Sequence, residues 1–178
     1  KEYEKSLNCQ KQCLRLFKKG NKLMGLISAY GNIGNAYLNF DDSKLVDHDL
    51  TRIDKYKLAY RYYDSCYAIA VKIQDQKGMA LSLDNKGYIS YKLGELEEAK
   101  KLMYEAAAIF KEIGDSDDER HCHETLYLIY KVMNRPVEAL KHFELYTSLK
   151  DSIYKAENQH AITSKQLSFD YARKSSLD

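Results

Sequence analysis

Leu96-Glu97-Glu98-Ala99, followed by Met103 and then Ala106, is the stretch that decides how this chain folds. Ala99, Met103 and Ala106 stand at i, i+4 and i+7 and so share one face of an α-helix. The pattern occurs twice more. Tyr56-Lys57-Leu58-Ala59 is followed at the same spacing by Tyr63 and Cys66, and Pro136-Val137-Glu138-Ala139 by Phe143 and Tyr146. The three alanines, at 59, 99 and 139, are forty residues apart. Upstream of each lies a second periodic stretch, Leu26 to Leu38, Ala80 to Leu93 and His123 to Val132, so each unit reads as two helices.

Local punctuation agrees with this division. Gly94 suits the left-handed residue that ends a helix, and Pro136 suits the first turn of the next. Ser116 followed by Glu119 reads as a capping box. Composition points the same way: one proline and eight glycines among 178 residues leave little turn chemistry for a many-stranded sheet. The length is enough for one domain with a core, and an array of repeats needs no second one.

Charge and hydropathy exclude several classes of function. The 28 basic and 26 acidic residues are interspersed, so no broad positive face is set up for a phosphate backbone, and nucleic acid is not expected as a partner. No apolar run approaches the ~18–20 residues of a membrane-spanning helix, and no signal peptide is evident. No membrane contact is expected within this segment. The opening on Lys1, already inside an amphipathic pattern, and the close at Asp178 suggest a piece of a longer protein.

Chemistry-bearing motifs are scarce. There is no nucleophile elbow, phosphate loop or helix with two histidines at i and i+4, so no catalytic residue, metal site or cofactor is expected, and the segment is not read as an enzyme. The four cysteines, Cys9, Cys13, Cys66 and Cys122, lack the spacing of a disulfide scaffold and read as packing residues. His121-Cys122-His123 does not converge on a metal, because residues two apart on a helix point to different faces. They read as helical surface residues. Glu97 and Glu98 read as a solvated face, and Tyr56, Tyr60, Tyr63 and Tyr67 as core packing at helical spacing.

These residues resemble the tetratricopeptide repeats, in a variant of forty-residue period. Tyr30, Ile33, Gly34, Tyr37, Ala59, Tyr63 and Cys66 follow the family's order in the first full unit, and Leu83, Gly87, Ala99, Met103 and Ala106 in the second. In the third, Tyr130, Ala139 and Phe143 fit, but Tyr127 stands where the family has a small residue, which would splay that pair. Tyr3-Glu4-Lys5-Ser6, Gln10 and Cys13 resemble the second helix of an earlier unit. The resemblance implies an all-α fold, a right-handed superhelix of antiparallel helix pairs over residues 1–153. It also puts Cys13 and Cys66 at the family's small, buried position.

Gly34 and Gly87 are further apart than one repeat, which places an insertion at about residues 41–53. Asp41-Asp42-Ser43, Asp47, His48 and Asp49 suit a surface loop leading into a helix, and a plain insertion is preferred to a functional loop.

In the family, the first helices of the pairs line a groove for an extended peptide or a partner helix. Carried over, this puts Gly31, Asn35, Leu38, Asn39, Asp84, Tyr88, Tyr91, Lys92, Glu124, Leu128 and Lys131 on the inner surface. Asparagine amides would hydrogen-bond a peptide backbone, and tyrosines would offer area with a polar tip. The carboxylate clamp of some relatives needs a lysine where this chain has Gly31, so it is not expected. The expected partner is a protein or peptide, and the competing reading is a structural scaffold that oligomerises.

Residues 154–178 read as a polar helix that either caps the last pair or forms a homodimer with a second chain. Lys150-Asp151-Ser152 and Phe169-Asp170-Tyr171 are similar to exit segments of tetratricopeptide sensor regions in bacterial membrane signalling proteins, ahead of a histidine kinase or nucleotide cyclase. That resemblance would place the domain outside the cytoplasm, in signal transduction.

Overall fold

The computed structural model describes residues 2–45, 48 and 50–175. Asp47, Asp49 and residues 176–178 lie outside the described residues. At Tyr3, Glu4, Ser6, Phe169, Asp170 and Tyr171 only the helical backbone is described. Among the described residues the chain is all-helical: α1 (Glu2–Lys19), α2 (Leu23–Leu38), a short 3-10 turn (Asp42–Lys44), α3 (Arg52–Ile73), α4 (Gln76–Leu93), α5 (Leu96–Ile113), α6 (Ser116–Val132) and α7 (Pro136–Ser175). No helix in this part of the chain is long and apolar enough to cross a membrane.

Five of the six connections use the same device to reverse the chain. Each contains one residue in the left-handed region: Asn21, Gln74, Gly94, Gly114 and Asn134. The amide of the following residue then reaches back to a carbonyl five residues earlier, as from Asp75 to Ala70, Glu95 to Ser90, Asp115 to Phe110 and Arg135 to Tyr130, each at 2.9 Å. These bonds satisfy carbonyls that a helix end would otherwise leave open. Glycine tolerates this conformation without cost and asparagine at small cost, so Gly94 and Gly114 are the easiest of the five to read in advance.

The starts of α3, α4 and α6 rest on side-chain caps, whereas those of α2 and α5 carry none. Asp75 accepts from the Gly78 amide at 3.0 Å, and Thr51 and Asp54 form a reciprocal capping box at the start of α3. The box expected at Ser116 and Glu119 is not formed. Asp115 is the capping residue instead, accepting from the Asp118 amide, and Ser116 is already the first helical residue. An ionised carboxylate at the start of α6 also suits the positive end of the helix dipole, as the run Asp117, Asp118 and Glu119 does.

Packing is between neighbours in the chain. Each helix contacts the next, while α2 also touches α4 and α4 touches α6. One apolar cluster, around Ile33, Tyr37, Ala59, Tyr63 and Ile89, joins α2, α3 and α4. A second runs through α4 to α7 and includes Leu83, Ala99, Met103, Ala106, Phe110, Cys122, Leu126 and Ile129. Small residues set how closely the helices approach. A Cβ on Gly87 would lie 3.1 Å from Met103, and one on Gly34 would meet the Tyr63 ring at 2.9 Å. Ala99 is completely buried at the α4–α5 contact. Ala99→Trp is therefore expected to overfill it, costing about 1–3 kcal/mol and lowering the melting temperature measured by circular dichroism.

The inserted segment is more structured than a surface loop. Phe40 and Leu45 are buried, and the Lys55 ammonium reaches the Phe40 carbonyl at 2.8 Å and the Asp42 carboxylate at 2.6 Å. That ion pair ties the 3-10 turn to the first turn of α3, and the helix begins at Arg52, inside the range expected for the insertion. It is a packed insertion, with Asp41 capping its turn through the Ser43 amide.

Four other expectations are corrected. Cys9 and Cys13 are exposed rather than packed, because they lie on the flank of α1 turned away from α2; Cys66 and Cys122 are buried as expected. His121-Cys122-His123 is not a surface run, since Cys122 and His123 are buried between helices. At the third unit Phe143 is 43% exposed, and the buried residue beside Ala139 is His142. Tyr127, where a small residue was expected, lies against Phe143 with ring centres 5.3 Å apart. Finally, the tail is helical but does not cap the array: every residue from Tyr154 to Ser168 is exposed.

His142 is the hub of the α5–α6–α7 joint. Its Nδ1 faces Nδ1 of His123 at 3.1 Å, and its Nε2 is 2.8 Å from the Tyr104 hydroxyl, itself 3.0 Å from that of Tyr130. The imidazole stacks on the Tyr130 ring at 5.4 Å and 5°. Two facing Nδ1 atoms can share only one proton in a hydrogen bond, so the two rings cannot both be protonated. Burial and the partner imidazole hold His142 down to about 4, and burial also lowers His123.

Candidate binding cleft

The side of the molecule where α2 and α4 meet holds a cleft of about 420 Å³, floored by α3. Its two walls carry the same i, i+3, i+4, i+7 set: Ser28, Gly31, Asn32 and Asn35 on α2, and Gly78, Leu81, Ser82 and Asn85 on α4. Tyr63 and Cys66 form the floor, and Ile27 closes the near end. Gly31 opens the cleft, since a Cβ there would meet nothing within 4 Å. Gly34, one turn on, lets the Tyr63 ring lie against α2.

Polar groups in the cleft are oriented by the fold. The Tyr63 hydroxyl donates to Asn35 Oδ1 at 2.5 Å, which makes the Asn35 amide nitrogen the end left to a ligand. Asn32 is held from outside by Gln10 of α1, at 3.4 Å. Asn85 donates to the Leu81 carbonyl and Ser82 to the Gly78 carbonyl, each at 2.8 Å, so these side chains lie back along α4. The Cys66 thiol donates to the Ile27 carbonyl at 3.6 Å, and burial pushes its pKa up, away from the thiolate a nucleophile needs. No charged side chain lines the cleft. Apolar walls with a few amides and hydroxyls suit a neutral segment entering with one or two side chains.

The next contact, between α4 and α6, has different chemistry. Asp84 is buried, with its carboxylate 3.0 and 3.1 Å from His121 Nδ1 and accepting from the Cys122 thiol at 3.4 Å. The hydrogen bond that His121 donates to Asp84 is the main cause holding His121 above the ordinary histidine range, and burial is the main cause pushing the Cys122 thiol upward. A cysteine protease arrangement needs the imidazole between thiol and carboxylate. Here the thiol turns to the carboxylate and is fully buried, so this trio is a packing element. His121 also lies 6.2 Å from the Tyr88 ring.

Among the inner-surface residues read from sequence, the cleft brings together Gly31 and Asn35. Asn39 is the exposed C-terminal cap of α2 and lies outside it. Leu38 packs against the α2–α3 apolar cluster. Asp84 is committed to His121. Tyr88 and Tyr91 are half-buried, 6.5 Å apart on α4, with the Lys92 ammonium 5.0 and 5.5 Å over their rings. Glu124 stands 4.0 Å from Arg120, Leu128 is half-buried, and the Lys131 ammonium lies over Tyr127; these three belong to α6, away from the cleft. Ser28, Asn32, Leu81 and Asn85 were missed, although their spacing repeats on both helices.

No protein-family model and no curated protein matches the sequence.

Proposed function

We propose that the chain is a tetratricopeptide-type binding domain, a right-handed array of helix pairs, whose α2–α4 cleft takes a neutral, extended segment of a partner protein or peptide. The observation that carries this reading is the cleft itself: an open, uncharged concavity whose matched walls come from the first helices of two successive pairs. Asn35 is already oriented by Tyr63, so its amide is presented without first being ordered by the ligand. Tyr88 and Tyr91 extend the same helix beyond Asn85 and supply aromatic area along which the bound segment continues. The absence of an accessible nucleophile at Cys66 and Cys122 supports a binding role for these two sites over catalysis. Under the same proposal the domain is the regulatory part of a larger signalling protein.

Gly31→Tyr tests the cleft directly, because a Cβ at this position meets nothing within 4 Å and the ring that follows it would occupy the cleft. Peptides selected from a random display library against the parent protein should lose at least ~2 kcal/mol of affinity for this variant, by calorimetric titration, while the helical spectrum is unchanged. Tyr88→Ala combined with Tyr91→Ala should weaken the same peptides. Peptides that bind parent and Gly31→Tyr equally would sink the assignment.

A further inference from the structure

From α7 we infer a self-association surface: two copies of this chain pair antiparallel along the outer faces of their α7 helices. The inference is independent of the cleft. It begins with the forty-residue helix itself, about 60 Å long, of which only the first half is packed on the rest of the molecule. Residues 154–168 leave the body and are exposed all round. Isolated helices gain most of their stability from a packed face, which this half lacks within one chain.

Of the seven large apolar residues exposed on α7 among the described residues, five share one face, while Leu145 and Leu167 lie on other sides of the helix. At 100° per residue, Val137, Leu140, Phe143, Tyr154 and Ile162 all fall within 60° of the direction of Leu140, with Phe143 on the flank that meets Tyr127 of α6. Their face continues from the docked half into the projecting half, with Glu144, Thr147, Asp151 and Asn158 set between the apolar residues. Exposure at its two ends is high, 78% at Val137 and 60% at Ile162. No other helix among the described residues covers it.

The charges along the stripe choose the occupant. A two-fold axis between Tyr154 and Lys155 would set Glu144 opposite Lys165, Thr147 opposite Ile162 and Asp151 opposite Asn158, next to Lys155 of the second copy. Positions 169 and 172 would then fall opposite Leu140 and Val137. A parallel pair in register would instead stack Glu144, Asp151, Lys155 and Lys165 each on its own like, an arrangement that is repulsive at every charged position. The stripe is thus complementary to itself in one direction only, as an isologous interface requires. In that arrangement each body lies on the far side of its own helix, and the projecting half of each chain covers the docked half of the other.

The test uses the full chain with Cys9→Ser and Cys13→Ser, which remove the exposed thiols and leave the buried Cys66 and Cys122 in place. Light scattering at micromolar concentrations should give the mass of a dimer. A chain carrying Thr147→Cys, mixed with one carrying Ile162→Cys and oxidised, should form a disulfide between the two variants, and neither variant should cross-link with itself. Glu144→Lys should weaken the dimer by about tenfold, and adding Lys165→Glu should restore it. A monomer at all concentrations would overturn the inference, and so would a Thr147→Cys chain that cross-links with itself. A double charge reversal that fails to restore the dimer would also overturn it.

Discussion

Phe110→Ala should lower the unfolding free energy by about 3–5 kcal/mol, more than any other single truncation of an aromatic residue in the chain. Phe110 is fully buried in the last turn of α5 and is the largest side chain with no exposure among the described residues. It packs in the cluster that joins α4 to α7, so removing the ring opens a cavity where three helix contacts meet. Its carbonyl also accepts the amide of Asp115 at the α5–α6 turn. Urea unfolding followed by circular dichroism should show a lower midpoint with an unchanged slope. Leu16→Ala, at a site 68% exposed, should stay within about 0.5 kcal/mol of the parent. Similar losses for the two variants would mean that the core does not lie where it is described.

The same residues show why the repeat was legible. Phe110 lies four positions past Ala106, on the face defined by Ala99 and Met103, so periodicity alone points at it. Ala59, Tyr63 and Cys66 are buried for the same reason. Helical periodicity predicts which face is covered, but it does not say whether a neighbour exists to cover it. Cys13 and Phe143 occupy the right positions on helices at the two ends of the packed region, and both are exposed, since no following helix pair covers α7 and Phe143 meets only Tyr127 on its flank. The helix turns were half legible: Gly94 and Gly114 announce themselves, whereas Asn21, Gln74 and Asn134 adopt the same conformation at residues that commonly do something else. At the cleft, Gly31 and Asn35 were found because the family pattern points at them. Asn32 and Asn85 needed knowledge of how α2 and α4 meet, which is a distance between helices and not a spacing within one. The tie between His142, His123 and Tyr104 was invisible for the same reason.

Acidification should destabilise the protein through that tie. His142 is held to about 4, below the ~6.5 of an unfolded histidine, so the unfolded chain binds a proton first as the pH falls. The stabilisation from neutral His142 is present above pH ~6.5 and is progressively lost down to about 4. Unscreened, that difference corresponds to about 3 kcal/mol, which solvent screening brings to about 2 kcal/mol, and the lowered pKa of His123 acts in the same direction. Lys111 and Lys141, near these rings, also disfavour their protonation. His121 works the other way. Raised by Asp84, it stabilises the fold when protonated, and that contribution fades as the pH rises through its elevated value. The lowered Asp115 and Glu138 lose their contributions only at more acidic pH. The imidazole is isolated by comparing urea midpoints of the parent and His142→Phe between pH 4 and 7. The variant keeps a ring to stack on Tyr130 but should show a flatter pH dependence by about 2 kcal/mol over that range. Parallel profiles would remove His142 as the source.

Because the helices pack chiefly on their neighbours in sequence, a stretching force applied at the two ends would be carried in series. There is no pair of terminal strands locked in shear, so no single rupture has to release the whole core at once. Such a chain peels: α1, with the least extensive contact to its neighbour, detaches first at low force, and α4 with α5, joined most extensively, resists longest. Extension would then proceed in helix-sized steps and reverse readily, which makes the array a compliant element between whatever is attached to its ends.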